Sequence, residues 1–416
     1  MSAVAAILFI LAALAGAPVF SLIAVLTFIL FYLAGVDISA PIVEFMRLQS
    51  MPSLISIPLF TFAGYVLASS RAPQRMLNLA KALFGFLSGG VAIASLTAAA
   101  LFTAFTGASG VTIIALGGLI YPILKAQNYD ENFSLGLVTS TGSLGLLFPP
   151  SLPIILYAIV GKLDLGLLFK KALIPGLLLL AALYIFSWTK ARKHGLKGEK
   201  LQTGDILSAI KDAAWEIPLP FVIILGIYGG FFTASEASSV MAFYVVLVEC
   251  FIRKDLNFFS ELPGVAMKSL ELVGAIFAVL GTALGFTSYV IDAQLPEKLF
   301  SIIHSYIPGK TLFLLFLNLF ILLINMIEIF SAIVIVVPII VPVAINYGID
   351  PVHLGIIFLV NLELGYMTPP LGINLFLASG RFQKPLGEIY RSVLPFWLIT
   401  SATLALITYF PSILGI

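Results

Sequence analysis

Two proline pairs, Pro149-Pro150 and Pro369-Pro370, stand inside long apolar stretches of the sequence. Proline has no amide hydrogen and clashes with the preceding turn, so two in succession leave carbonyls without helical partners at membrane depth. Such carbonyls need a ligand. Glycines accompany each pair, in Gly142-Ser143-Leu144-Gly145-Leu146-Leu147-Phe148-Pro149-Pro150 and in Glu363-Leu364-Gly365-Tyr366-Met367-Thr368-Pro369-Pro370-Leu371-Gly372. They let the chain unwind and bring several backbone oxygens toward one point. Oxygen ligands of this kind suit a hard cation such as sodium, and the candidates are Gly145, Phe148 and Pro149 at the first break and Gly365, Thr368 and Pro369 at the second.

Two further polar clusters interrupt apolar sequence, Thr106-Gly107-Ala108-Ser109-Gly110 and Asn325, Glu328 and Ser331. If each is the tip of a re-entrant helical hairpin, its helix ends offer carbonyls to a cation and amides to an organic anion. Thr106, Ser109 and Glu328 are thus candidates for both cation and substrate, and Gly107 and Ser331 for substrate. Lysine and arginine are missing from the expected midplane, so an anionic substrate must rely on dipoles and co-bound cations. Glu328 and Glu363 are carboxylates at membrane depth, which are functional by default although either could bond a helix end. Asn361 and Asn374 are substrate candidates that, like Asn325, could equally join helices by hydrogen bonds. Asp130 and Asp350 read as caps of the broken helices. His194, His304 and His353 lack ligand partners, and the single cysteine, Cys250, reads as packing.

The elements that position these residues follow from an internal repeat. At a constant offset of 220, Leu119–Pro150 lies over Ile339–Pro370, matching Pro122 with Pro342, Asp130 with Asp350, Gly145 with Gly365, and both proline pairs. Basic loops orient the copies by the positive-inside rule: Arg71, Arg75 and Lys81; Lys190 to Lys200; Arg253-Lys254; and Arg381, Lys384 and Arg391, all cytoplasmic. The first broken helix, about 132 to 160, then runs outward, and the second, about 352 to 379, runs inward. Inverted repeats with discontinuous helices point to a secondary transporter with its site at the repeat interface. The expected fold is an all-α polytopic membrane protein of the elevator type, with hairpins near 85 to 125 and 311 to 346. Its parts are N-terminal scaffold helices (1–50), a first repeat (51–190), a cytoplasmic loop (191–215) with a surface helix from Thr203 to Ala214, two scaffold helices (216–252) and a second repeat (253–416).

Composition agrees. Of 416 residues, 60% are hydrophobic and 10% charged, which excludes a soluble fold, and a net charge of +2 gives no footprint for nucleic acid. Residues 3–35 hold one kinked or two membrane segments rather than a signal peptide, because no basic residue precedes the first apolar run. An intramembrane enzyme would need a nucleophile with a base, or paired aspartates, and the midplane residues offer neither.

Over essentially its whole length the sequence resembles the large membrane subunit of tripartite ATP-independent periplasmic (TRAP) transporters. The stretches that carry the likeness are IPLFTFAGYVL (57–67), LFTAFTGASGVTIIALGGLIYPILK (101–125), GLLFPPSLPIILYAI (145–159) and GIDPVHLGIIFLVNLELGYMTPPLGINLFLAS (348–379). The resemblance implies sodium as coupling ion with no other cofactor, a bacterial inner-membrane location, a small four-helix membrane partner, and a periplasmic binding protein that delivers a C4-dicarboxylate, sialic acid or another carboxylate. It places the cargo against Thr106, Gly107, Ser109, Glu328 and Ser331. The first tip reads Thr-Gly-Ala-Ser where the family often has Ser-Gly-Ser, and Glu328 stands where many members carry Gly-Met-Phe-Met-Asp. A stand-alone sodium/dicarboxylate carrier of the same architecture is the alternative reading.

Overall fold

Proline, glycine and N-cap residues cut the apolar sequence into helices. The computed structural model describes residues 12, 15–196, 198, 203–325 and 329–415, and helices are the regular structure among them. The first three are α1 (Val19–Leu33), α2 (Ala40–Met46) and α3 (Ser56–Ser69). An amphipathic helix, α4 (Ala72–Phe84), leads to a hairpin of α5 (Gly90–Thr106) and α6 (Ser109–Ala126). The first broken segment is α7 (Glu131–Ser140), a 3-10 turn at Leu144–Leu147, and α8 (Leu152–Gly161). After α9 (Leu165–Lys193) come α10 (Thr203–Asp212), α11 (Pro218–Tyr228), α12 (Ala234–Ile252) and α13 (Leu262–Asp292). The pattern then recurs as α14 (Leu295–Tyr306), a hairpin of α15 (Lys310–Asn325) and α16 (Ile329–Asn346), a broken segment of α17 (Pro351–Met367) and α18 (Ile373–Phe382), and α19 (Leu386–Tyr409). Among the described residues seven helical stretches are long and apolar enough to cross a bilayer, and counting each bent pair as one span raises this to nine. Within residues 3–35, where one kinked or two segments are expected, α1 accounts for the second half and most of the stretch before residue 15 lies outside the described residues.

Local chemistry sets these boundaries. Asp130 Oδ2 accepts from the Phe133 N–H at 3.0 Å, and Asp350 Oδ1 accepts from Val352 and His353 at 2.8 and 3.0 Å, the capping role expected of both aspartates. Gly107 closes α5 with φ of +63°, a conformation that a side chain would resist, and so permits the sharp reversal at the first tip. Cys250 is buried, and His353 is buried with Nε2 2.9 Å from the Ile407 carbonyl, a partner that anchors α17 to α19.

The two broken segments lie antiparallel. Lys384, just past α18, pairs at 2.6 Å with Glu131, the first residue of α7. Glu131 raises the Lys384 ammonium above its ordinary range. At the other end the Tyr157 hydroxyl of α8 donates to the carbonyl of Pro351, the first residue of α17, at 3.2 Å. Helix α19 packs along both α7 and α17, while α9 packs on α5, α8 and α17.

On the side that the basic loops assign to the cytoplasm, α4 is bolted to the remaining helices. Arg75 meets Glu216 at 2.5 Å, Glu249 at 3.0 Å and Asp255 at 2.6 Å, and the Arg71 N–H also donates to Asp255. Burial pushes Asp255 up, but Arg75 and Arg71 outweigh it and hold the carboxyl below its usual range. Ser88 donates to the Leu196 carbonyl at 2.8 Å, so three of the four basic loops converge. Helix α10 packs on α4 and exposes Leu207 and Ile210, as expected for a helix resting on a membrane surface.

Candidate functional site

The two breaks share one backbone frame. Pro149 and Pro150 cannot donate to the carbonyls of Gly145 and Leu146, nor can Pro369 and Pro370 donate to Gly365 and Tyr366, each four residues back. In compensation the Phe148 N–H turns to Gly145 O at 3.0 Å and the Thr368 N–H to Gly365 O at 3.1 Å. A second bond closes each turn, Ser151 N–H to Phe148 O at 3.1 Å and Gly372 N–H to Thr368 O at 2.9 Å. Both Pro-Pro peptides are cis. A Cβ on Gly372 would sit 2.5 Å from Tyr366 O and 2.9 Å from Gly365 O, so only a residue without a side chain fits against these two carbonyls.

Each break faces a hairpin through a glycine. A Cβ on Gly145 would collide with the α5 backbone at Ala100 and Ala104, and one on Gly365 would lie 2.8–2.9 Å from Asn325 at the end of α15. Gly142 packs against Ile113 of α6, with Ser109 O 3.0 Å from where its Cβ would be. The first break therefore opposes the tip containing Thr106 and Ser109, and the second opposes the tip that begins at Asn325.

The polar residues divide into those at the tips and those elsewhere. Ser109 donates at 2.8 Å to Asn374 Oδ1 of α18, whose Nδ2 reaches the Thr139 carbonyl of α7 at 3.4 Å. One buried amide thus ties the first tip to both broken segments, a link that crosses the repeats. Thr106 is buried, and its hydroxyl lies 3.5 Å from the Ala108 carbonyl. Thr368 donates to Leu364 O at 2.6 Å and accepts from the indole N–H of Trp397 in α19 at 2.9 Å. Asn325 is buried, and neither atom of its amide has a partner among the described residues. Ser331 is buried beside it in the chain, at the start of α16; Glu328 lies outside the described residues.

Asn361 sits away from the tip. Its Nδ2 donates to Asn318 Oδ1 at 2.6 Å and to Ile357 O at 3.0 Å, so it joins α17 to α15 in the manner of a helix-packing amide. Asn318, Trp397 and Tyr390, which donates to Pro370 O at 3.2 Å, are the site-proximal residues that the sequence did not single out. Glu363 is fully buried, with both carboxylate oxygens unpartnered among the described residues. It lies about 200° around the helix from Asn361 and so points away from α15. Among the described residues no group of three or more His, Cys, Asp or Glu is placed to hold a metal, so the oxygens available to a cation are backbone carbonyls, hydroxyls and amides.

A pair of broken helices, each beside a polar hairpin tip, is the equipment of a carrier. Comparison with known proteins agrees: residues 5–413 match the family model of the tripartite ATP-independent periplasmic transporter, DctM component. The chain belongs to this family. It is 34% identical over 376 residues to the C4-dicarboxylate TRAP transporter large permease protein DctM of Rhodobacter capsulatus, covering 86% of this chain and 85% of that one. It is 33% identical over 376 residues to the isethionate TRAP transporter permease protein DctMQ of Oleidesulfovibrio alaskensis, covering 89% of this chain and 59% of that longer protein. The crystal structure of the Alcanivorax borkumensis YdaH transporter, at 13% identity, covers 88% of this chain and is itself covered to 89%, with a TM-score of 0.56, a likeness of fold alone. As a TRAP large permease the chain is a multi-pass protein of the bacterial inner membrane and a transporter subunit, not an enzyme.

Proposed function

We propose that this TRAP permease imports an organic acid by sodium coupling, with the two hairpins and two broken segments moving as one body against the other helices in an elevator motion. The observation that carries the reading is the pair of matched backbone frames, each opposed to a polar hairpin tip. Sodium occupies the carbonyl and hydroxyl oxygens: Gly145, Phe148 and Pro149 with Thr106 and Ser109 at the first break, and Gly365, Thr368 and Pro369 with Glu328 at the second. A carboxylate is held between the tips by the Ser109 amide beside Gly107, by Ser331 and by the bound cations, with Asn374 as a bridging amide. Asn361 serves as packing in this scheme. The relatives named for a C4-dicarboxylate and for isethionate favour a small organic anion as cargo. A small membrane subunit and a periplasmic binding protein complete the system.

The test is reconstitution with both partners. Uptake should require binding protein and an inward sodium gradient, and Glu328→Ala should abolish it with expression intact. Equal uptake in sodium-free buffer overturns the coupling, and wild-type uptake by the variant removes Glu328 from the site.

A further inference from the structure

The hydrogen atoms around Thr368 can be assigned without ambiguity. An indole N–H only donates, so at 2.9 Å the Thr368 oxygen must accept from Trp397. The Thr368 hydrogen is then directed to the Leu364 carbonyl at 2.6 Å, while the Thr368 N–H goes to Gly365 O and its carbonyl accepts from Gly372. The hydroxyl is left with one lone pair and no hydrogen to give. Seven residues earlier on the same helix, Tyr390 donates to Pro370 O, so α19 holds the break from both sides of Pro369. The counterpart of Thr368 in the first repeat is Phe148, whose ring packs against Gly176 of α9 and carries no such group. The arrangement therefore belongs to the second break.

We propose that Trp397 is a positioning residue that fixes the Thr368 hydroxyl as an acceptor only, making it a ligand for a cation and unfit to donate to a carboxylate. The inference rests on the sodium-coupled reading above and goes beyond it by separating the two cargoes at this oxygen. Without the indole, the Thr368 hydroxyl is held by its bond to Leu364 O alone, and its hydrogen can leave that carbonyl for another acceptor, a substrate oxygen included. Sodium then meets a ligand that must be reoriented first.

The experiment measures sodium dependence of uptake in proteoliposomes containing the full transporter with its partners. Trp397→Phe should raise the half-saturating sodium concentration about three- to tenfold, the factor a single neutral hydrogen bond is worth, and should lower the maximal rate by less. Thr368→Val should shift sodium dependence in the same direction, and adding Trp397→Phe to it should cause no further shift, because the two residues act through one bond. Additive shifts, or a Trp397→Phe carrier with wild-type sodium dependence, overturn the proposal. A readout that keeps Trp397 guards against misfolding: in protein with Trp188 and Trp215 replaced by Phe and Trp397 carrying a fluorine label, sodium should move the fluorine resonance, and should not do so with Thr368→Val. A resonance indifferent to sodium, in a carrier whose uptake still needs it, overturns the positioning role alone. Sodium-independent uptake by the wild type overturns the coupling and this inference together.

Discussion

The two breaks share one backbone hydrogen bond, from Phe148 to Gly145 and from Thr368 to Gly365, and have opposite surroundings. The first spans Thr141 to Ser151, and every residue in it but the half-buried Phe148 is buried. The second spans Thr368 to Gly372, and its Pro369, Pro370 and Leu371 are exposed, Leu371 to 53%. The first is held by packing of Phe148 on α9, the second by hydrogen bonds from Trp397 and Tyr390 of α19. The two breaks share a Gly-to-Pro-Pro spacing and differ in their outer surface. One break is enclosed on all sides, and the other is open on one.

Leucine at the two framing glycines should separate them most sharply. Gly145→Leu drives a side chain into the α5 backbone, which cannot yield, so both uptake and the yield of folded protein should be lost. Gly365→Leu also meets backbone, but less closely, at 2.9 Å and at the hairpin end of Asn325, and should abolish uptake while a monodisperse peak survives in size-exclusion chromatography. Equal loss of folded protein in both would erase the distinction. Arg75→Ala supplies a calibration that touches neither break. It strands three largely buried carboxylates and should cost about 3–5 kcal/mol in thermal unfolding, read as a fall in melting temperature, with sodium dependence unmoved. A changed sodium dependence there would mean that general destabilisation, not site geometry, governs the other variants. The smallest effects belong to the amides. Asn374→Ala frees Ser109 and should weaken uptake and lower stability by about 1–3 kcal/mol, whereas Asn361→Ala should lower stability alone. An Asn361→Ala carrier that folds as the wild type but takes up substrate poorly would move Asn361 back into the site.

Much of this was legible because the residues that cut a membrane helix are few and unambiguous. Pro149-Pro150 and Pro369-Pro370 cannot continue a helix, Asp130 and Asp350 begin one, and Gly107 ends one, so elements and breaks could be placed from residue type alone. What escaped depends on neighbours distant in sequence. Trp397 and Tyr390 sit in an apolar helix where aromatic residues ordinarily fill space, and only the approach of α19 to the second break gives them a task. Asn318, which accepts from Asn361 Nδ2, escaped for the same reason: an amide's partner is decided by what stands across from it. The unequal burial of the breaks likewise has no local signature, since both lie in equally apolar sequence.

The Arg75 clamp joins residues that the ribosome delivers far apart: Glu216, Glu249 and Asp255 follow Arg75 by 141, 174 and 180 residues. Throughout that interval the guanidinium is an unpaired positive charge next to a newly inserted helix, the kind of signal that keeps a loop from crossing the bilayer. Once the carboxylates arrive the same charge is consumed as a bolt. Arg75 thus belongs both to the basic loop that the positive-inside rule reads and to a structural joint, and in the folded protein Arg71 of that loop stays exposed while Arg75 is drawn in among carboxylates.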